Sequence, residues 1–97
     1  MIIVHETFIC KPGNASKLAK MFKEVMAEMG EQALVMTDMT GQYNKVIVST
    51  QYNNLADFEK GMEMHMNPDE KMKKSMEKMQ GYQEMYLTGS REIYRIW

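Results

Sequence analysis

The order of the elements that the residue pattern predicts constrains this chain more than any single motif does. Residues 2–11 are rich in β-branched and aromatic side chains, which favour a strand, and a Pro-Gly pair then breaks the strand. Asn14 is a credible helix N-cap, apolar residues recur at helical spacing through residues 15–29, and Gly30 supplies a stop. The first third of the chain is therefore predicted to be a strand followed by a helix.

Three further strands are predicted. Residues 32–39 and 45–52 carry strand patterns separated by a short polar turn, which favours an antiparallel hairpin. Residues 82–90 are predicted to be a connecting loop, and residues 91–97 to be the fourth strand.

A second helix is predicted between the hairpin and the last strand. Asn54, with Asp57 three residues later, resembles a capping box and opens the helix. We expect a break or kink at Asn67 and Pro68, because asparagine can cap a new helical segment and proline suits its first position. Gly81 is the predicted end of this helix.

This βαββαβ order predicts an α+β protein with a ferredoxin-like fold, in which two helices cover one face of a four-stranded antiparallel sheet. The other face would expose apolar side chains well beyond what a monomer usually shows. We therefore expect a homodimer that buries sheet against sheet, as in a dimeric α/β barrel.

Composition narrows the class of protein. Ninety-seven residues form a single domain, and 12 basic against 13 acidic residues, interspersed along the chain, leave no basic stripe for nucleic acid. We expect a cytoplasmic protein with no membrane partner, because no apolar run approaches ~20 residues and no signal-peptide pattern follows Met1. Cys10 is the only cysteine, so neither a disulfide within the chain nor a cysteine-pair metal site is expected, and no metal or cofactor is predicted.

With this order in place, the chain resembles the dimeric α+β barrel proteins, which include the antibiotic-biosynthesis-type monooxygenases and many uncharacterised relatives. The resemblance covers the whole length. It implies a cavity between sheet and helices that holds a flat or elongated apolar substrate, which some members oxidise with molecular oxygen and no cofactor. The segments that carry it are Phe8-Ile9-Cys10-Lys11-Pro12-Gly13, Asn54-Leu55-Ala56-Asp57-Phe58 and His65-Met66-Asn67-Pro68.

The chain departs from the haem-degrading branch of that family. That branch uses an asparagine on the first strand with a tryptophan and a histidine on the second helix, whereas here the first strand has no asparagine and the only tryptophan is Trp97. The residue after the kink proline, often histidine in relatives, is Asp69. Haem degradation is not expected, and His65 has no histidine partner on its helix.

His65 is the candidate catalytic residue, because histidine is the side-chain type on the second helix that can move a proton near neutral pH, and it borders the apolar stripe of that helix. The competing interpretation is a structural histidine that bonds a nearby carbonyl at the helix end. A Cu(I) site at Met62, Met64 and Met66 is disfavoured, since Met64 points about 200° away from Met62 on a helix. On the last strand, Arg91 and Arg95 can pair with Glu6 on the first strand instead of binding a ligand.

Methionine accounts for 13 of 97 residues, and its flexible side chain lets a core repack around ligands of different shapes. We therefore expect a homodimer whose apolar pocket between sheet and helices holds a fatty-acyl-like or polyketide-like molecule. A cofactor-independent monooxygenase or isomerase, and a structural or assembly module without a ligand, are the alternatives. The predicted ligand-binding residues are Phe22, Met26, Phe58, Met62, His65, Met66, Met76 and Tyr94.

Overall fold

The computed structural model describes all 97 residues and places three α-helices and one 3-10 turn around a four-stranded sheet. The sheet is antiparallel with strand order β2-β3-β1-β4, so the predicted ferredoxin-like α+β fold is confirmed. The elements in chain order are β1 (Ile2–Cys10), α1 (Ala15–Glu28), β2 (Ala33–Thr37), β3 (Lys45–Tyr52), α2 (Leu55–Met66), α3 (Glu70–Glu77), the 3-10 turn (Tyr82–Glu84) and β4 (Tyr86–Arg95).

The core lies between α1 and the two central strands. Leu18 of α1 and Val46 of β3 have no exposed surface, and only 2% of Cys10 is exposed. Phe22 and Val48 complete this cluster. The alternating side chains of β1 that include Phe8 and Cys10 therefore face the helices, which the sequence pattern alone did not decide.

Helix α1 agrees with its predicted bounds to within one residue and departs from the prediction at the N-cap. It ends at Glu28, with Met29 as the C-cap residue. Asn14 occupies the N-cap position, but its side chain accepts no capping hydrogen bond; its backbone carbonyl accepts the N–H of Leu18 at 2.9 Å. The predicted bounds of β3 are confirmed at both ends.

Strand β2 is shorter than predicted, ending at Thr37 instead of residue 39. The cause is Asp38, whose carboxylate accepts the backbone N–H groups of Thr40, Gly41 and Gln42 at 2.8, 2.7 and 3.1 Å. A side chain that satisfies three successive backbone donors holds the chain in a turn and ends strand pairing.

The second predicted helix is two helices. Asn54 caps α2 as expected, with its Oδ1 accepting the N–H of Asp57 at 2.9 Å. The new start predicted at Asn67 is wrong: Asp69 is the cap of α3 and accepts the N–H of Met72 at 2.8 Å. Proline disfavours helical backbone in the residue before it, which is consistent with the non-helical backbone of Asn67, where φ is −128° and ψ is 65°.

Helix α3 ends at Glu77, not at the predicted Gly81. Gly81 has a φ of +84° and leads directly into the 3-10 turn at Tyr82–Glu84.

The predicted loop over residues 82–90 is wrong in its second half, because β4 begins at Tyr86. In β1, Phe8 pairs with Gly89 and Cys10 pairs with Tyr86, and the register shifts by one residue between Ile9 and Cys10. Pairing with the long central strand therefore overrides the weak strand preference of Thr-Gly-Ser. The strand ends at Arg95, and Trp97 beyond it is fully exposed.

No helix in the structure combines the length and the apolar composition that crossing a membrane requires.

Candidate functional site

A cavity of about 770 Å³ opens between α1, the end of α2, α3 and the segment that follows α3. Its apolar wall comes from both sides. Helix α1 contributes Phe22, Val25, Met26 and Met29, which lie on one helical face because they are three, one and three residues apart. Met76 of α3 and Met79 after it form the opposite wall.

No strand residue lines this cavity. The ligand pocket was predicted between the sheet and the helices, and that position is wrong. The space beneath α1 is filled by Leu18, Phe22 and the central strands, so the opening lies one layer further out, between helices. Polar side chains edge it, among them Lys73, Glu77 and Gln80.

Four aromatic rings hold one end of the cavity in place. Phe8 on β1 lies 5.1 Å from Phe22 and 5.0 Å from Tyr86, measured between ring centroids. Tyr82 contacts Phe22 edge-on at 6.2 Å and lies 6.0 Å from Tyr86. Aromatic pairs of this kind stabilise a structure beyond the contribution of the apolar surface that they bury. They anchor the 3-10 turn, and with it Tyr82, against the sheet.

His65 projects from the last turn of α2 and lines this cavity and a second one of about 180 Å³. Its Nε2 lies 3.7 Å from Oε1 of Glu31, and about one third of each side chain is exposed. The carboxylate that the sequence did not reveal therefore comes from the loop between α1 and β2.

The end of α1 fixes the position of Glu31. Gly30 has a φ of +71°, its N–H donates to the carbonyl of Ala27, and the N–H of Glu31 donates to the carbonyl of Met26. This pair of bonds is a Schellman motif, which places the second residue after the helix in a defined direction. The helix stop that was predicted at Gly30 thus also positions the partner of His65.

Tyr52, at the end of β3, lies close to the same part of α2. Its hydroxyl and ring edge are each 3.7 Å from the position that a Cβ would take on Gly61. Burial, and then the negative charges of Glu31 and Glu6, raise the pKa of Tyr52 above its ordinary value. The hydroxyl therefore stays protonated near neutral pH and can donate a hydrogen bond.

Solved structures with the same architecture cover almost the whole chain. An uncharacterised NIPSNAP-like domain protein from Burkholderia xenovorans superimposes with a TM-score of 0.77 at 13% identity, over 99% of this chain and 84% of that one. A NIPSNAP family protein of unknown function from Agrobacterium tumefaciens gives 0.73 at 16% identity, over 97% and 86% of the two chains. A proposed antibiotic biosynthesis monooxygenase from Deinococcus radiodurans gives 0.64 at 15% identity, over 100% and 93%.

The chain has the ferredoxin-like fold of these proteins. The predicted resemblance to antibiotic-biosynthesis-type monooxygenases is thereby confirmed at the level of fold. No family model and no curated protein matches the sequence.

Within this ferredoxin-like fold, the predicted site residues do not all meet. Four of the eight predicted ligand-binding residues line the main cavity: Phe22, Met26, His65 and Met76. Met29, Met79 and Tyr82 also line the cavity, beyond the eight predicted residues. Met29 and Met79 continue the apolar spacing of their segments, and Tyr82 is one of five tyrosines whose hydroxyls could orient an apolar ligand.

Phe58 and Met62 lie on α2 but contact Arg91 instead of the cavity. The guanidinium carbon of Arg91 is 5.3 Å from the centre of the Phe58 ring, and its Nη2 is 3.9 Å from the sulfur of Met62. Arg91 also pairs with Glu6 through its Nε, as predicted. Arg95 makes no such pair and lies 6.0 Å from the ring centre of Trp97.

Met66 and Tyr94 lie outside the cavity. Met66 is the last residue of α2 and is 78% exposed. Tyr94 is on the sheet face that points away from the helices, where it packs edge-on against His5 and donates a hydrogen bond to Glu92. Alternation along β4 separates Tyr94 from the helix-facing residue Arg91. Groups of three or more His, Cys, Asp or Glu side chains that could hold a metal ion do not occur.

Proposed function

We propose that the protein is a homodimer that binds a small, mainly apolar molecule, fatty-acyl-like or polyketide-like, in the methionine-lined cavity. The observation that carries this proposal is the wall itself, where Met26 and Met29 of α1 oppose Met76 and Met79 across about 770 Å³. That volume is in the range of small-molecule sites. Thioether side chains adapt to ligands of irregular shape, which favours tolerance over strict selectivity.

Two binding measurements test the ligand-binding part of the proposal. A neutral apolar fluorophore such as N-phenyl-1-naphthylamine should bind to the protein with enhanced emission, and native mass spectrometry of protein from its host should show retained apolar ligand. Met76→Lys should weaken fluorophore binding about tenfold, because the apolar ligand would then have to displace water from an ammonium group in the cavity wall. The matched control is Met39→Lys, since Met39 is 92% exposed and does not line the cavity. Equal affinity for both variants would count against this site.

The sheet supports the homodimer part. Its face away from the helices carries Ile3, Ile9, Leu34, Met36 and Ile47, and Leu34 is 67% exposed in the single chain. A 97-residue domain buries a limited fraction of its surface, so covering this face with a second copy would stabilise it. Light scattering should give the dimer mass for the wild type and the monomer mass for Ile47→Glu. Leu55→Glu, on the exposed side of α2, should remain dimeric.

A second candidate is a cofactor-independent monooxygenase or isomerase. It is supported by His65, which lines both cavities and has the carboxylate of Glu31 at 3.7 Å. Oxygen uptake with phenolic or quinone-precursor substrates, lost in His65→Ala, would favour the oxygenase form. Ligand binding that persists in His65→Ala without any turnover would favour the carrier.

A further inference from the structure

Three ionisable side chains from separate parts of the chain converge beside the C-terminal half of α2. Glu31 arrives from the loop after α1, Tyr52 from the end of β3, and His65 from the helix itself. Glu31 Oε1 is 3.7 Å from His65 Nε2. Gly61 precedes His65 by four residues, so the two share a helical face, and the Tyr52 hydroxyl lies over Gly61. Because residue 61 is a glycine, no Cβ of α2 lies against the hydroxyl.

We propose that Glu31, Tyr52 and His65 form a proton-transfer site for an apolar carbonyl compound with an acidic C–H bond next to the carbonyl. The inference rests on the proposed function, because the substrate has to enter through the methionine-lined cavity that His65 borders. It selects isomerisation over oxygenation, since an imidazole, a phenol and a carboxylate can move protons without an oxidant.

The geometry gives each group a role. With Nε2 of His65 directed at Glu31, the Nε2–H tautomer is favoured and Nδ1 remains free to accept a proton. Glu31 is a positioning residue, which orients the imidazole and stabilises the imidazolium that forms. Tyr52, held neutral by burial and by the charges of Glu31 and Glu6, donates a hydrogen bond to the carbonyl oxygen of the substrate.

The reaction balances without a further reactant. His65 Nδ1 removes the proton next to the carbonyl, the C–H electron pair forms a C=C bond, and the carbonyl π pair moves to oxygen, where the Tyr52 hydroxyl stabilises the enolate. The imidazolium then returns its proton to the same carbon or to another carbon of the conjugated system. The net change is proton exchange or migration of a double bond.

The test measures this exchange directly. Proton NMR in deuterated buffer follows incorporation of deuterium next to the carbonyl of 2-tetralone, an apolar ketone, with and without protein. We expect catalysis by the wild type, a loss of about 100-fold or more in His65→Ala, and about tenfold in Tyr52→Phe and Glu31→Gln. Glu31→Asp should recover part of the rate. The matched control is Glu59→Gln, an exposed carboxylate on the same helix, which should leave the rate unchanged.

Rescue by the conservative variant separates a positioning role of Glu31 from a structural one. Glu31→Asp keeps the carboxylate that Glu31→Gln loses, so only a role of that carboxylate lets Glu31→Asp exceed Glu31→Gln in rate when both variants have the same far-UV circular dichroism. Asp69, Lys71, Lys73 and Glu77 also line the two cavities and are retained in every variant. If N-phenyl-1-naphthylamine binds but the wild type does not catalyse the exchange, the inference is overturned. It is also overturned if the fluorophore binds and His65→Ala still catalyses the exchange. Failure of the fluorophore to bind instead overturns the proposed function, and the inference with it.

Discussion

Replacing Leu18 by alanine tests whether the small cluster under α1 is the core that holds the fold. Leu18 has no exposed surface and packs with Cys10, Phe22, Val46 and Val48. The substitution removes three carbon atoms, which is about 2.4 kcal/mol of transfer free energy at ~0.8 kcal/mol per buried carbon. The cavity left behind raises the expected loss to about 3–4 kcal/mol.

A loss of this size is large for such a domain. The free energy of unfolding of a 97-residue chain is on the order of 5–15 kcal/mol, and 1 kcal/mol corresponds to about 4–8 °C in Tm. Leu18→Ala should therefore lower Tm by about 12–32 °C or prevent stable folding. Far-UV circular dichroism is the suitable probe, because Trp97 is fully exposed and its fluorescence does not report on the core. All samples are compared at one protein concentration, since association shifts Tm.

The matched control is the same substitution at Leu55 of α2, which is 59% exposed. Leu55→Ala should cost less than about 1 kcal/mol, since surface changes rarely exceed that. Equal losses at the two positions would refute the assignment of the core to the layer between α1 and the central strands.

Four further substitutions probe local structure. In urea unfolding, Gly30→Ala should lower the free energy of unfolding by about 1 kcal/mol, because φ at Gly30 is +71°. Gly61→Ala, inside α2, should raise it by up to about 1 kcal/mol, because alanine favours helix over glycine. Changes of the opposite sign would contradict this backbone geometry. Hydrogen bonds from Gly41, Thr40 and Gln42 lower the pKa of Asp38 from 3.8 to about 2, so its stabilisation is complete above pH 4 and is lost as pH falls towards 2. Asp38→Asn should be less stable than the wild type at pH 6, with a difference that shrinks on acidification in thermal melts. Arg91→Met should cost less than about 1 kcal/mol, and the cost should fall with added salt, as is usual for a partly exposed ion pair.

Periodicity predicted the fold because local preference and tertiary packing agree over most of the chain. In α1 the residues at helical spacing, Leu18, Phe22 and Val25, are the ones that the structure buries. In β3 the β-branched run around Val46 and Val48 is both a good strand former and the centre of the sheet.

Prediction failed where local and long-range preferences disagree. Thr88, Gly89 and Ser90 have weak strand preference, yet they pair with the long strand β1. The ring of Phe8 lies beside Gly89, because a Cβ built on Gly89 would be 3.6 Å from Cδ1 of that ring. Information of this kind resides in the partner strand and not in the segment itself. The helix break showed the same limit on a shorter scale, since two potential caps, Asn67 and Asp69, stood two residues apart and the backbone restriction imposed by Pro68 favoured the second.

The candidate site was half predictable for the same reason. Phe22, Met26 and Met76 follow from helical periodicity, because an apolar stripe marks the inward side of a helix whether it faces a core or a cavity. Glu31 did not follow, since it is 34 residues from His65 in sequence and meets it only because the loop after α1 reaches the end of α2.

The helix stop at Gly30 was nevertheless visible, and a Schellman motif gives the residue after such a glycine a fixed direction. A charged residue at that position is therefore a reasonable place to look for the partner of a histidine on a neighbouring helix. The methionine wall and the pair formed by His65 and Glu31 both depend on where α1 ends. A variant that extends α1, such as Gly30→Ala, should disturb the His65–Glu31 distance before it disturbs the cavity wall around Phe22. Crystallography of that variant that found His65 and Glu31 unmoved while the cavity collapsed would show that the two sites are set by different elements.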